Sequence, residues 1–105
     1  ITCIPATETF VVNMGEGLEI PERKNSLVAR APQSFRLDDI LSAHRKALAE
    51  GRNDFVDSCT MMNHYGHKLG LIEGPMENIK ITTPTDYFIF RAMVEVHENQ
   101  QIFGF

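Results

Sequence analysis

The chain has 105 residues, 43% apolar and 23% charged, the length and balance of one small globular domain. A net charge of −4 with no basic run argues against a nucleic-acid surface, and no apolar stretch approaches the ~18 residues that a membrane span needs. Two cysteines, Cys3 and Cys59, make no disulfide framework and suit a reducing, cytoplasmic setting.

Residues 1–5 read as the end of a strand stopped by Pro5, without the basic region and long apolar core of a signal peptide. The chain opens on Ile1 inside an apolar segment, and the expectation is a longer protein that has been truncated. Residues 9–13 have strand composition, Met14-Gly15-Glu16-Gly17 is a turn, and residues 18–20 return as the second strand of a hairpin ended by Pro21. Residues 22–26 are polar and exposed, and residues 27–30 form a short strand leading to Ala31-Pro32.

A helix follows, with Leu37, Ile40, Leu41, His44, Ala47 and Leu48 recurring at three- and four-residue steps as one apolar stripe. Ser34 marks its N-cap region, Asp38 and Asp39 sit early, and Gly51 stops it. Asp57 caps a second helix carrying Cys59, Met61, Met62 and Tyr65, which Gly66 ends. Residues 69–72 form a short strand and Gly74-Pro75 a turn. Residues 79–82 read as a further strand, because Ile79 and Ile81 alternate with polar neighbours. Thr83 is a good N-cap, Pro84 suits the first helical position and Asp86 the first turn of a last helix reaching about His97. The tail, 98–105, is polar and then apolar through Ile102, Phe103 and Phe105.

This order is α/β with a protruding hairpin and a parallel sheet joined by right-handed crossovers. Three or four strands with an open edge leave apolar surface uncovered, so the piece is expected to be stable only beside a missing half or a partner subunit. Lys80, at the C-terminal end of a strand and beside a helix N-terminus, is well placed to hold a phosphate.

The ordered set Thr9, Arg23, Ala31-Pro32-Gln33-Ser34-Phe35, Asp54 to Asp57, Glu73-Gly74 and Glu77-Asn78-Ile79-Lys80 resembles the C-terminal half of the cytidylyltransferases that load CTP onto a sugar-alcohol phosphate. Two branches act on methylerythritol 4-phosphate (isoprenoid synthesis) and ribitol 5-phosphate (teichoic-acid and capsule precursors). The resemblance runs from about residue 5 to about residue 94 and rests on order, not on any one motif. It implies the C-terminal part of a Rossmann-like, three-layer α/β/α nucleotidyltransferase. Residues 5–26 would be a hairpin dimer arm, 27–97 sheet and helices, and 98–105 a tail, with the N-terminal nucleotide-binding half absent.

The resemblance also implies roles. Lys80 would stand at the reacting phosphates, where an oxygen of the polyol phosphate attacks the α-phosphate of CTP and pyrophosphate leaves. Positive charge there lowers the barrier. Arg23, nine residues before Pro32, would grip the phosphate of the second substrate across the dimer, and Thr9 would donate its hydroxyl to that substrate. Asp57 is either a substrate contact or an N-cap. Without the resemblance, Lys80 is an exposed lysine, Arg23 one of a solvated cluster, Thr9 a strand residue and the arm a surface hairpin. Mg²⁺ would come with CTP, its ligands outside this chain. Ala31 and Val56 replace threonines usual in the family, and this leaves the polyol open. The alternatives are a non-catalytic dimerisation piece and a transferase for another nucleotide or acceptor. Cys59, His64 and His67 match no zinc spacing.

Overall fold

The computed structural model describes residues 1–104, so Phe105 of the expected tail lies outside the described residues. Strand β1 (Thr2–Pro5) is the centre of a three-stranded sheet. Strand β4 (Leu27–Ala29) pairs with it antiparallel, with Ile4 opposite Val28, and β5 (Ile72–Glu73) pairs with it parallel, with Thr2 opposite Ile72. The sheet is therefore mixed, not all parallel as expected. The chain leaves β1 into the hairpin arm, whose limbs close where the Ala6 N–H meets the Ser26 carbonyl, so it re-enters the sheet beside β1 running the opposite way, whereas the crossover through two helices gives the parallel neighbour. Gly74 closes the parallel edge: its N–H donates to the Cys3 carbonyl at 2.8 Å, and a Cβ there would meet Thr2 Cγ2 at 2.7 Å.

Between β1 and β4 stands a separate hairpin, β2 (Val12–Asn13) with β3 (Leu18–Glu19). Its turn is held by Gly15, whose N–H donates to Asn13 Oδ1 at 2.9 Å, and by the Met14 N–H on the Gly17 carbonyl at 2.9 Å. Gly15 takes φ 87°, which glycine adopts at low cost. The paired stretch is shorter than the expected 9–13, and all four of its residues are exposed. Residues 23–25 wind into a 3₁₀ turn.

Helix α1 (Leu37–Ala49) and helix α2 (Ser58–His64) carry the core. Ala43, Ala47, Met61 and Met62 are buried together, with Phe35, Ile40, Phe55, Tyr65 and Leu69 packed around them. The face of α1 turned inward is thus Ile40–Ala43–Ala47: Ile40 and Ala47 of the expected stripe pack inward, but Leu37 and Leu48 are 75% and 78% exposed and Ala43, outside that stripe, is buried. Small alanines admit the methionines of α2 close to α1, and hydrophobicity alone does not register that fit. Nor does Ser34 cap α1. Arg36 holds that position with no side-chain cap bond, and Asp38 and Asp39 supply the negative charge of the first turn.

Strand β5 starts three residues later than the expected 69–72, pinned by the Ile72 N–H on the Ile1 carbonyl. The expected strand at 79–82 does not form. It has no neighbouring strand among the described residues, so alternation alone builds no ladder. Helix α3 (Pro84–Phe103) starts as expected, with Thr83 and Asp86 forming a reciprocal capping box and Pro84 in the first turn. It continues past His97 to a left-handed Gly104, absorbing most of the expected tail. None of its residues is buried.

The chain exposes 8540 Å² and has a radius of gyration of 17.8 Å. A compact monomer of this size exposes about 5,900 Å² and has a radius near 13 Å. Large apolar side chains contribute to it, with Phe88, Ile89, Phe90 and Val96 of α3 and Phe10, Val11, Leu18 and Ile20 of the arm all exposed.

Candidate functional site

Lys80 lies in an extended stretch between the turn at residues 76–77 and the Thr83 cap of α3. It is exposed, and no hydrogen bond among the described residues falls on it. On one side, two residues away, Asn78 Nδ2 donates to the Ala31 carbonyl at 2.7 Å. On the other, the Thr82 and Thr83 N–H groups donate to Asp86 Oδ2 at 3.0 and 2.9 Å. Those bonds hold the Asp86 carboxyl below the usual carboxylate range. Lys80 is therefore presented beside a helix N-terminus, as expected, but from a clamped loop and not from a strand.

Arg23 opens the 3₁₀ turn on the far limb of the arm, and Thr9 lies on the near limb. The limbs close where the Ala6 N–H donates to the Ser26 carbonyl at 2.9 Å. In the polar cluster Glu22 pairs with Lys24 at 3.4 Å and accepts from Asn25 Nδ2. No partner falls on the Arg23 guanidinium or the Thr9 hydroxyl among the described residues. Both residues are exposed.

Asp57 is committed locally. Its Oδ1 accepts from the Thr60 N–H at 2.8 Å and lies 3.3 Å from Cys59 Sγ, so it is the N-cap of α2. Hydrogen bonds from Thr60 hold its carboxyl below the usual range, against a small opposing effect of burial. Burial, and then the neighbouring Asp57, push the Cys59 thiol up, which leaves it unsuited to act as a thiolate at neutral pH. A residue with no role assigned from sequence completes this corner: Gln33 Oε1 accepts from the Cys59 N–H at 2.9 Å. Among the described residues, no hydrogen bond or ion pair joins any two of Thr9, Arg23, Asp57 and Lys80. The loop at residues 31–33 instead gathers the Lys80 segment, through Asn78, and the Asp57 cap, through Gln33. Membership of the Ala31-Pro32-Gln33 motif was the sequence signal for this, but a side-chain tie across 47 positions has no local signature.

No group of three or more His, Cys, Asp or Glu that could hold a metal forms among the described residues. His64 is engaged elsewhere: Arg52 reaches it at 3.0 Å and also pairs with Asp54, and its ring packs against Tyr65 and Phe55. No helix of the described residues is long and apolar enough to cross a membrane.

Residues 1–96 match the family model described as IspD, 2-C-methyl-D-erythritol 4-phosphate cytidylyltransferase. The chain is 47% identical over 106 residues to a ribitol-5-phosphate cytidylyltransferase of Streptococcus agalactiae serotype III, a match spanning 99% of this chain and 44% of that protein. It is 45% identical, with the same coverage, to one from Vibrio parahaemolyticus. A bifunctional enzyme IspD/IspF of Bradyrhizobium diazoefficiens is 38% identical over 83% of this chain and 22% of that protein. The chain thus spans less than half the length of these relatives. In fold it is similar to the 2-C-methyl-D-erythritol 4-phosphate cytidylyltransferase of Thermus thermophilus (TM-score 0.72) and to the 4-diphosphocytidyl-2C-methyl-D-erythritol synthase of Anaerococcus prevotii (TM-score 0.75). Each is 24% identical, and the match covers 90% of this chain and 46% and 45% of theirs. With an extended model match, relatives well above 30% identity and a mixed α/β fold shared with solved nucleotidyltransferases, the chain belongs to the IspD cytidylyltransferase family.

Proposed function

We propose that this chain is the C-terminal portion of a nucleotidyltransferase that transfers CMP from CTP to a sugar-alcohol phosphate. Its relatives at 45–47% identity over 99% of the chain are named for ribitol 5-phosphate, and this favours that acceptor over methylerythritol 4-phosphate. In the reaction a phosphate oxygen of the acceptor attacks the α-phosphorus of CTP. The bond from that phosphorus to the β-phosphate bridge breaks, and pyrophosphate leaves with the electron pair. No covalent enzyme intermediate is needed. Negative charge spreads over the phosphoryl oxygens in the transition state, and fixed cations act where it develops.

The observation that carries this reading is the family match together with the state of its two cations. Lys80 and Arg23 are exposed, and neither has an internal partner among the described residues. Lys80 would neutralise the reacting phosphates. Arg23, whose planar fork suits two phosphate oxygens, would hold the acceptor, with the Thr9 hydroxyl beside it. Asp57 would orient the acceptor pocket from the α2 cap. Thr9 and Arg23 ride on an arm whose Phe10, Val12, Met14, Leu18 and Ile20 are exposed. A two-stranded ribbon of this kind is marginal alone. The arm is therefore read as a homodimer contact that carries Thr9 and Arg23 to the partner's site, as part of a three-layer, Rossmann-like cytoplasmic enzyme. Mg²⁺ would enter with CTP. The described residues form no ligand set for it.

The test is pyrophosphate release by the full-length protein with CTP and ribitol 5-phosphate or, separately, methylerythritol 4-phosphate. Activity with ribitol 5-phosphate that falls in Lys80→Ala and Arg23→Ala bears the proposal out. Full activity in both variants sinks the residue roles, and activity with neither acceptor sinks the substrate class.

A further inference from the structure

Lys80 has no ladder to hold it. Residues of the sheet are fixed by strand pairing, but residues 79–81 pair with no strand among the described residues; the Ile79 N–H donates only locally, to the Glu77 carbonyl at 2.9 Å, and the stretch lies between two side-chain clamps. At one end Asn78 Nδ2 donates to the Ala31 carbonyl at 2.7 Å. At the other, Asp86 Oδ2 takes the Thr82 and Thr83 N–H groups, while Thr83 Oγ1 takes the Asp86 N–H. Four residue steps separate Asn78 from Thr82, a reach of at most about 14 Å, and Lys80 is the midpoint.

The anchor at Ala31 is itself tied to the sheet. The neighbouring Arg30 N–H donates to the Thr2 carbonyl at 2.8 Å, and the Thr2 N–H donates to the Pro32 carbonyl at 3.2 Å. The Ala31 carbonyl therefore has a position set by β1, and through Asn78 it passes that position to the loop. A cation that stabilises a phosphoryl transition state must be placed to within about 0.5 Å. An unclamped loop does not deliver that, because each residue released from a single backbone well regains conformational freedom.

From this arrangement we infer that Asn78 is a positioning residue for Lys80: its carboxamide ties the lysine loop to the Ala31 carbonyl, with Asp86 as the matching clamp at the helix end. The inference rests on the reading of Lys80 as the cation at the reacting phosphates. Asn78 itself touches no substrate in this scheme and contributes only through the placement of Lys80.

The test is a double-mutant cycle in the full-length enzyme, read as pyrophosphate release with CTP and ribitol 5-phosphate. Asn78→Asp keeps the shape but replaces the donor with a carboxylate facing a carbonyl oxygen. It is expected to lower kcat about 10- to 100-fold, the loss that a displacement near 1 Å produces, with the KM for CTP little changed. Lys80→Ala is expected to lower kcat about 100- to 1000-fold. The double variant should be no slower than Lys80→Ala alone, because there is then no lysine left to misplace. A merely structural role for Asn78 gives the opposite result: its loss would multiply with that of Lys80→Ala and would follow the thermal midpoint. That outcome, or an Asn78→Asp enzyme with unchanged kcat, overturns the inference while leaving Lys80 in its role. Full activity in Lys80→Ala overturns the role of Lys80 and the inference with it. If Asn78→Asp does not fold at the assay temperature, Asp86→Ala opens the other clamp, and the same cycle with Lys80→Ala decides.

Discussion

Asp57 separates two readings that predict different numbers. As an N-cap it satisfies the Thr60 N–H at 2.8 Å at the head of a seven-residue helix. Three residues of that helix, Cys59, Met61 and Met62, are buried, so loosening α2 disturbs the core and does more than fray an end. Losing a cap acceptor costs about 1 kcal/mol, and up to about 2 kcal/mol where the helix is well packed. Asp57→Ala is therefore expected to lower the thermal midpoint of a full-length protein by about 2–8 °C, at about 2–4 °C per kcal/mol for 150–250 residues. Asp57→Asn keeps an oxygen at Oδ1 and is nearly as good a cap. It forfeits only the charge at the helix N-terminus, about 0.3–1 kcal/mol. The assay is a thermal melt of each variant, followed by KM for the polyol phosphate well below the midpoint. The cap reasoning predicts that Asp57→Asn melts within about 1 kcal/mol of the parent and keeps its KM. An Asp57→Asn that melts as low as Asp57→Ala refutes it. A normal melt with a KM raised about tenfold, which is about 1.4 kcal/mol, instead puts the carboxylate on the substrate.

Three further outcomes are expected. The 105-residue chain expressed alone should release no pyrophosphate and should bind a hydrophobic dye strongly, given the 8540 Å² it exposes; an active, dye-silent monomer would refute this. Met62→Ala removes a side chain 2% exposed at the α1–α2 contact, and should destabilise the full-length protein by about 2–5 kcal/mol in a urea titration; a loss below about 1 kcal/mol would mean that the site collapses freely. Asp57 and Asp86 both have folded pKa values below the unfolded value of about 3.9, so their stabilisation is complete above that pH and is lost as pH falls through the folded values. The melting temperature should therefore fall below about pH 4, and by less in the Asp57→Asn/Asp86→Asn double variant; equal falls would show that other groups govern acid unfolding.

Sequence by itself determined what local chemistry decides. Thr83, Pro84 and Asp86 announce the start of α3, Asp57 the start of α2, and Gly51 and Gly66 the helix stops, because caps and left-handed turns depend on residues within one helical turn. The hairpin turn around Gly15 is local in the same sense. The order of Arg23, Ala31-Pro32-Gln33 and Asn78-Ile79-Lys80 was enough to point to the family. What only the tertiary structure decided depends on partners distant in the chain. Ile79 and Ile81 alternate as a strand should, yet a strand exists only where a neighbour offers its carbonyls, and none stands there among the described residues. Leu37, Leu41 and Leu48 outrank Ala43 in hydrophobicity, but the close approach of Met61 and Met62 selects the small residue for the core, beside the Ala47 that the stripe already held. Asn78 and Ala31, 47 positions apart, meet only because the crossover from β1 to β5 returns the chain to the same sheet, and it is that return that sets the place of Lys80.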